Sequence, residues 1–179
     1  ILDRFSQIEP VAIMFTNSYH YGGKFIDLSE KNIEVLRRLE SIKHKFLMNY
    51  PEMNVTTNNF DIDLETIFSN KDLNKEILFE KTYFNDPMYI LYSSGTTGKP
   101  KCIIHNTGGP LIQHMKEQQL HCDLKKNDKI FYFTTCGWMM WNWLTTALSS
   151  NASILLYDGS PFFPEKDSLF KIAEEEKLD

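Results

Sequence analysis

Ten consecutive residues, Tyr92-Ser93-Ser94-Gly95-Thr96-Thr97-Gly98-Lys99-Pro100-Lys101, bring together glycines, small hydroxyl side chains and lysines. A chain of phosphates is held by several hydrogen-bond donors aimed at one place, and a tightly turned backbone supplies them through its N–H groups. Gly95 and Gly98 can take the backbone conformations that such a turn needs. Ser93, Ser94, Thr96 and Thr97 add hydroxyl donors, and Lys99 and Lys101 add positive charge. The apolar run Met88-Tyr89-Ile90-Leu91-Tyr92 directly before them predicts a strand, which is the usual lead-in to a phosphate-gripping turn. The spacing differs from the Walker loop, which has four residues between its glycines and a Ser or Thr after its lysine. Here only Thr96 and Thr97 separate the glycines, and Pro100, which has no N–H to donate, follows Lys99.

A second group of residues, Thr134-Thr135-Cys136-Gly137-Trp138-Met139-Met140-Trp141-Asn142-Trp143, lies where a predicted strand (Ile130 to Phe133) gives way to a predicted helix (Trp138 to Leu148). Ligands of open α/β sheets sit at the carboxyl ends of strands. Binding-site walls are mostly apolar and aromatic, so Gly137, Trp138 and Met139 are candidate walls of a small pocket, whereas Met140 and Trp143 are expected in the core. His105, His114 and His121 are close in sequence. His114 and His121 lie about two helical turns apart, too far along one face for a single metal. Surface or capping roles are expected for them, with no protein-held metal. Cys102, Cys122 and Cys136 form no Cys-x-x-Cys pair, and their odd number excludes a closed disulfide framework. They read as reduced thiols of a cytosolic protein, with Cys102 buried in a short apolar run.

The elements that must position these residues follow from periodicity. Val11 to Phe15 is a short apolar strand after Pro10, and Tyr21-Gly22-Gly23-Lys24 is a turn. Asp27 and Glu30 have capping-box spacing, and Ile33, Leu36, Leu39 and Ile42 recur behind them, predicting a helix from Leu28 to Lys43. Lys45 to Tyr50 completes a strand–helix–strand unit. Pro51 to Pro87 reads as a connection with short helical pieces, too apolar for disorder. Lys101 to Ile104 is a strand, Gly108-Gly109-Pro110 opens a helix to His121, and Ile154 to Tyr157 is a strand. Asp167 to Asp179 is a helix with Leu169, Phe170, Ile172 and Ala173 on its apolar side. The fold class is α/β, a mostly parallel sheet flanked by helices.

The chain has 179 residues, 42% of them hydrophobic and 24% charged, which is globular composition and suits one domain. A formal net charge of -5 argues against a nucleic-acid surface. No apolar run approaches the roughly 20 residues that span a bilayer. Residue 1 is Ile, and the last predicted helix reaches Asp179 without a stop signal, so the chain is expected to be an internal piece of a longer protein.

The Ser-Gly-Thr-Thr-Gly-x-Pro-Lys string at Ser94 to Lys101 resembles the signature of the adenylate-forming superfamily. Cys102 departs from the Gly that many members carry there. Gly137-Trp138 is similar to the short-chain acyl-CoA synthetases of that superfamily. Gly137-Trp138-Met139-Met140-Trp141-Asn142, Leu156 to Pro161, Ile103 to Gly109 and Leu111 to Glu117 resemble the acetoacetate-activating group among them. The likeness is strong from Pro87 to Pro161 and weaker from Phe5 to Lys24.

The resemblance implies that residues 1–179 are part of a large N-terminal AMP-binding domain, without its C-terminal part or the small C-terminal domain. It implies two half-reactions. The acid carboxylate attacks ATP to give an acyl-adenylate and diphosphate, and CoA thiol then takes the acyl group and releases AMP. It assigns Ser93, Ser94, Gly95, Thr96, Thr97 and Gly98 to the ATP phosphates, Lys101 as a charge partner, and Thr96, Thr97 and Lys101 as the residues assisting the reaction. Mg²⁺ arrives with ATP. Acetate or propionate activation is the alternative acid specificity, and a non-catalytic nucleotide-binding fragment is the alternative of another kind.

Overall fold

In the computed structural model, residues 1–50, 62–64, 69, 76–93 and 98–179 are described. The chain divides into two compact units, Ile1–Phe79 with Ser94–Lys101, and Glu80–Ser93 with Cys102–Asp179.

The first unit opens with a one-turn helix, α1 (Leu2–Phe5), followed by strands β1 (Ala12–Thr16), β2 (Ser18–Tyr21) and β3 (Lys24–Asp27). Helix α2 (Ser29–Arg38) then leads to β4 (His44–Met48) and the short β5 (Ile62–Asp63). The sheet order is β1-β4-β5. Both pairs are parallel, with Met14 opposite Phe46 and Phe46 opposite Ile62. Ile13 and Phe15 alternate with exposed neighbours along β1, so one strand face is buried. That face joins Val35 and Leu39 from the helical side, Ile42 and Leu47, with Leu2, Phe5 and Leu36 packed at the edge. The strand–helix–strand expectation is met, because a parallel neighbour needs a crossover and α2 provides it.

Sequence reading and structure differ locally in this unit. Gly22 and Gly23 make more than a turn, for they join an antiparallel hairpin in which Ser18 pairs with Asp27 and Tyr21 with Lys24. Their φ angles of +58° and +75° fit the two-residue turn whose twist matches a hairpin. Helix α2 ends at Arg38, short of Lys43, where Leu39 leaves helical geometry (φ −111°, ψ 81°). Ile42 keeps its place in the core, but from the loop that follows. Leu28 holds the N-cap position, and Asp27 assists from outside it, its Oδ1 accepting the Ser29 N–H at 2.8 Å. The helical pieces expected between Pro51 and Pro87 lie mostly outside the described residues.

In the second unit, β6 (Pro87–Ser93) and β7 (Lys101–Asn106) pair as a two-stranded sheet. The Thr107 N–H donates to the Asp86 carbonyl at 2.8 Å. The start of β6 therefore lies beside the end of β7, as in an antiparallel pair. Helix α3 (Gly108–Lys116) runs into one π-helical turn, Glu117–His121. Strand β8 (Lys129–Phe131) precedes helix α4 (Met139–Thr146), a 3₁₀ turn (Ala147–Ser150) and β9 (Ser153–Leu155). Strands β8 and β9 are parallel, with Ile130 opposite Ile154. Leu124, Ala147 and Ala152 form the core here, with Ile130 and Ile154 against it. Helix α5 (Ser168–Glu176) closes the chain. On its predicted apolar side Leu169, Ile172 and Ala173 are half-buried, whereas Phe170 is 77% exposed. The mostly parallel α/β class is met by three parallel strand pairs.

Candidate active site

The glycine-loop segment begins where β6 ends, at half-buried Ser93, and closes at Lys101, the first residue of β7. Ser94, Gly95, Thr96 and Thr97 lie outside the described residues. Gly98 has a φ of +153°, with nothing within 4 Å of where a Cβ would stand. Backbone shape, not crowding, therefore calls for glycine there. The exit of the loop is anchored inside the first unit. Gln7 Nε2 donates to the Pro100 carbonyl at 2.9 Å and to the Asp3 carbonyl at 2.6 Å. Lys99 and Lys101 are both exposed to solvent.

The other end of the β6–β7 pair is tied down by a compact set of polar contacts. Besides its N–H, Thr107 sends its hydroxyl to the Asp86 carbonyl at 3.0 Å, and the Gly108 N–H reaches the Phe84 carbonyl at 3.0 Å. Asp86 Oδ2 accepts the Tyr83 N–H at 2.7 Å. Asn106 Oδ1 accepts the Gly109 N–H at 2.8 Å, satisfying a donor that the first turn of α3 leaves open. A Cβ on Gly109 would stand 2.7 Å from that same oxygen. The Tyr89 and His105 rings stack at 5.1 Å, and burial raises the Tyr89 phenol above its ordinary range. Sequence reading assigned Asn106 no role, although its spacing before Gly109 is that of a helix-opening side chain.

Gly137, Trp138 and Met139 follow β8 and lead into α4. The Trp138 N–H donates to the Thr135 carbonyl at 3.0 Å and the Trp141 N–H to the Trp138 carbonyl at 3.1 Å, so a turn delivers the chain into α4. Within their own unit these residues stand open: Trp138 is 69% and Met139 49% exposed, and Gly137 is exposed too. They form an apolar surface rather than the lining of a closed cavity. Trp143, one turn further, is buried as expected and meets the Tyr132 ring edge-on at 6.0 Å.

Two expectations need correction. His114 is not a surface or capping residue: it is buried, with Nδ1 3.0 Å from the Thr146 hydroxyl. Its burial holds its pKa below the usual 6.5, against the opposing pull of Glu117 and with a smaller push from His105. Cys102 is exposed, as are Cys122 and Cys136, because the apolar run around it belongs to a strand with solvent-facing side chains. Among the described residues no group of three or more His, Cys, Asp or Glu is placed to hold a metal, and no helix is long and apolar enough to cross a membrane.

The AMP-binding enzyme family matches residues 10–179. The acetoacetyl-coenzyme A synthetase of Rhizobium meliloti (strain 1021) is 41% identical over 99% of this chain, and the acetoacetyl-CoA synthetase of Gallus gallus 42% identical over 97%. The solved structure of acetoacetyl-CoA synthetase from Streptomyces lividans superposes with a TM-score of 0.91 and 39% identity, covering 99% of this chain. In each of these three comparisons the chain spans 27% of the other protein's length. A family match over nearly the whole chain settles its membership, and the chain belongs to the AMP-binding enzyme family.

Proposed function

We propose that the full-length protein is an acid–thiol ligase that activates acetoacetate: acetoacetate, ATP and CoA give acetoacetyl-CoA, AMP and diphosphate. One observation carries this reading. The relatives with which this chain shares 41% and 42% identity along nearly all its residues bear that enzyme's name. The chain itself is then part of the large N-terminal domain, carrying the phosphate loop and one wall of the acid site. The catalytic remainder lies in the part of the relatives beyond the matched segment.

The first step brings a carboxylate to a polyphosphate, anion to anion, so neutralisation and alignment supply much of the catalysis. The loop's N–H groups and the hydroxyls of Ser93, Ser94, Thr96 and Thr97 take the β- and γ-phosphates, with Gly95 and Gly98 shaping the turn. Lys101 offsets negative charge as diphosphate leaves. Mg²⁺ suits this donor set, because it accepts hydroxyl and phosphate oxygens and needs few protein ligands when bound to a nucleotide. Gly137, Trp138 and Met139 contact the acyl chain. In the second step the CoA sulfur bonds to the acyl carbon as the acyl–AMP bond breaks. The product thioester serves lipid synthesis from a ketone body, in the cytosol.

The test is an acid panel on the full-length protein, reading diphosphate and AMP release. Acetoacetate should give the highest kcat/KM. A preference for acetate or propionate, or equal use of either, would replace acetoacetate as the acid. ATP binding without any acid-dependent release would favour a nucleotide-binding protein without catalysis.

A further inference from the structure

Helix α3 ends in a π-helical turn, Glu117–His121. Consecutive side chains at the start of that turn, Glu117 and Gln118, both bond to the same residue of α4. Glu117 Oε2 accepts the Trp143 indole N–H at 3.0 Å, while Gln118 Nε2 donates to the Trp143 carbonyl at 2.6 Å. Gln118 is fully buried, and its contact falls on a main-chain carbonyl, so it fixes the helix backbone and not only a side chain. A third tie lies one turn along, where His114 Nδ1 meets the Thr146 hydroxyl at 3.0 Å and that hydroxyl donates to the Asn142 carbonyl at 2.8 Å.

Helix α4 is only eight residues long, and Trp138 and Met139 stand at its N-terminal end. These two side chains are largely exposed within their unit, so their own packing does little to fix them. Their position is set by where the helix is held, and it is held at Trp143.

We propose that Glu117 and Gln118 are positioning residues that hold Trp143 at its indole and at its carbonyl and thereby set the Trp138–Met139 surface that discriminates the acid. This rests on the reading of Gly137–Met139 as the acid-contacting wall. It locates part of the acid selectivity in the turn that holds α4. These bonds lie within one compact unit and end on α4, so the acid is the substrate on which their loss is read.

The experiment uses the full-length protein. Glu117→Ala removes the indole acceptor, and Glu117→Gln keeps a neutral oxygen in the same place. Expected is a rise of about tenfold in KM for acetoacetate in Glu117→Ala, as for loss of one hydrogen bond to a charged group. The KM for ATP should stay within about twofold, and Glu117→Gln should recover most of the loss. Hydrogen–deuterium exchange across residues 134–146, measured without substrate, should speed up in Glu117→Ala and return toward wild type in Glu117→Gln. Parallel rises in both KM values, or unchanged exchange, would overturn the clamp. If wild type shows no acid-dependent diphosphate release, the proposed reaction fails, and the exchange measurement still decides whether Glu117 holds α4.

Discussion

Asn17 Oδ1 accepts the main-chain N–H of Tyr50 at 2.8 Å, joining the chain just past β1 to the chain just past β4. The same residue donates through Nδ2 to Asn49 Oδ1 at 3.1 Å, and its carbonyl receives the Leu28 N–H at 2.8 Å. Asn17 is 1% exposed and Ser18 not at all, while Asn32 Nδ2 reaches the Thr16 carbonyl at 2.8 Å beside them. The carboxyl ends of two parallel strands are thus closed by a buried amide network, which also seats the β2–β3 hairpin. Asn17→Ala would leave the Tyr50 N–H without its partner. A loss of about 0.5–1.5 kcal/mol is expected, the net contribution of such a part-buried hydrogen bond. Urea denaturation of the full-length protein checks this, and an unchanged midpoint would show that water reaches Tyr50.

Gly98 gives a prediction confined to the phosphate loop. Its φ of +153° is strained for any L side chain, yet nothing crowds the position. Gly98→Ala should cost about 1–3 kcal/mol of local loop conformation. The loss should appear as a KM for ATP raised by about tenfold or more, with KM for the acid little changed. Retained ATP affinity would mean that the loop turns without Gly98.

Trp138 separates folding from selectivity. With 69% of its surface exposed, it contributes little to the core of its unit. Trp138→Ala should leave the thermal midpoint of the full-length protein near wild type while lowering discrimination between acetoacetate and acetate. Pocket contacts of this size are worth about 1–3 kcal/mol, or 10–200-fold in kcat/KM ratio. Unchanged ratios across the acid panel would remove Trp138 from the acid site.

His114 predicts a pH dependence of stability. Its folded pKa is lowered from 6.5 by burial, so the native state favours the neutral ring. Above 6.5 neither state is charged and nothing is lost. As pH falls below 6.5 the unfolded chain takes up the proton first, and stability declines until the folded pKa is passed. Glu117, the charge nearest in effect, works against the shift, and His105 adds to it. His114→Asn should flatten the pH dependence of the denaturation midpoint below pH 6.5 relative to wild type. An identical slope in both proteins would assign that dependence to other groups.

Much of this architecture is legible in local patterns. The runs at Val11–Phe15 and Met88–Tyr92 are short, apolar and bounded by turn residues, and they become β1 and β6. Gly108-Gly109-Pro110 announces α3 because proline suits a first helical turn. What escaped depends on partners distant in sequence. Ser18–Tyr21 carries no alternating apolar pattern and becomes a strand only by pairing with Lys24–Asp27. Ile42 fits the spacing of α2, yet it reaches the core from a loop. His114 looks like a surface residue until α4 covers it and Thr146 bonds it. At the site, glycine spacing pointed to a phosphate loop from residues alone, and Ser94 to Thr97 lie outside the described residues. Glu117 and Gln118 gave no comparable signal, because their function is set by Trp143, twenty-five and more positions away.

The π turn after α3 also makes this stretch a counting device. The Cys122 N–H returns to the Glu117 carbonyl at 3.0 Å and the Leu124 N–H to the Gln118 carbonyl at 2.9 Å, so removing one residue between Gln118 and Leu124 would shorten the path by which the helix end reaches the core. Glu117 and Gln118, upstream of such a deletion, would keep facing Trp143, while Leu124 would be drawn away from the core it shares with Ala147 and Ala152. Substitutions here should be borne one at a time, but single-residue deletions should not. Tolerance to changes in length, more than tolerance to changes in side chain, is the trait that this turn imposes on the chain.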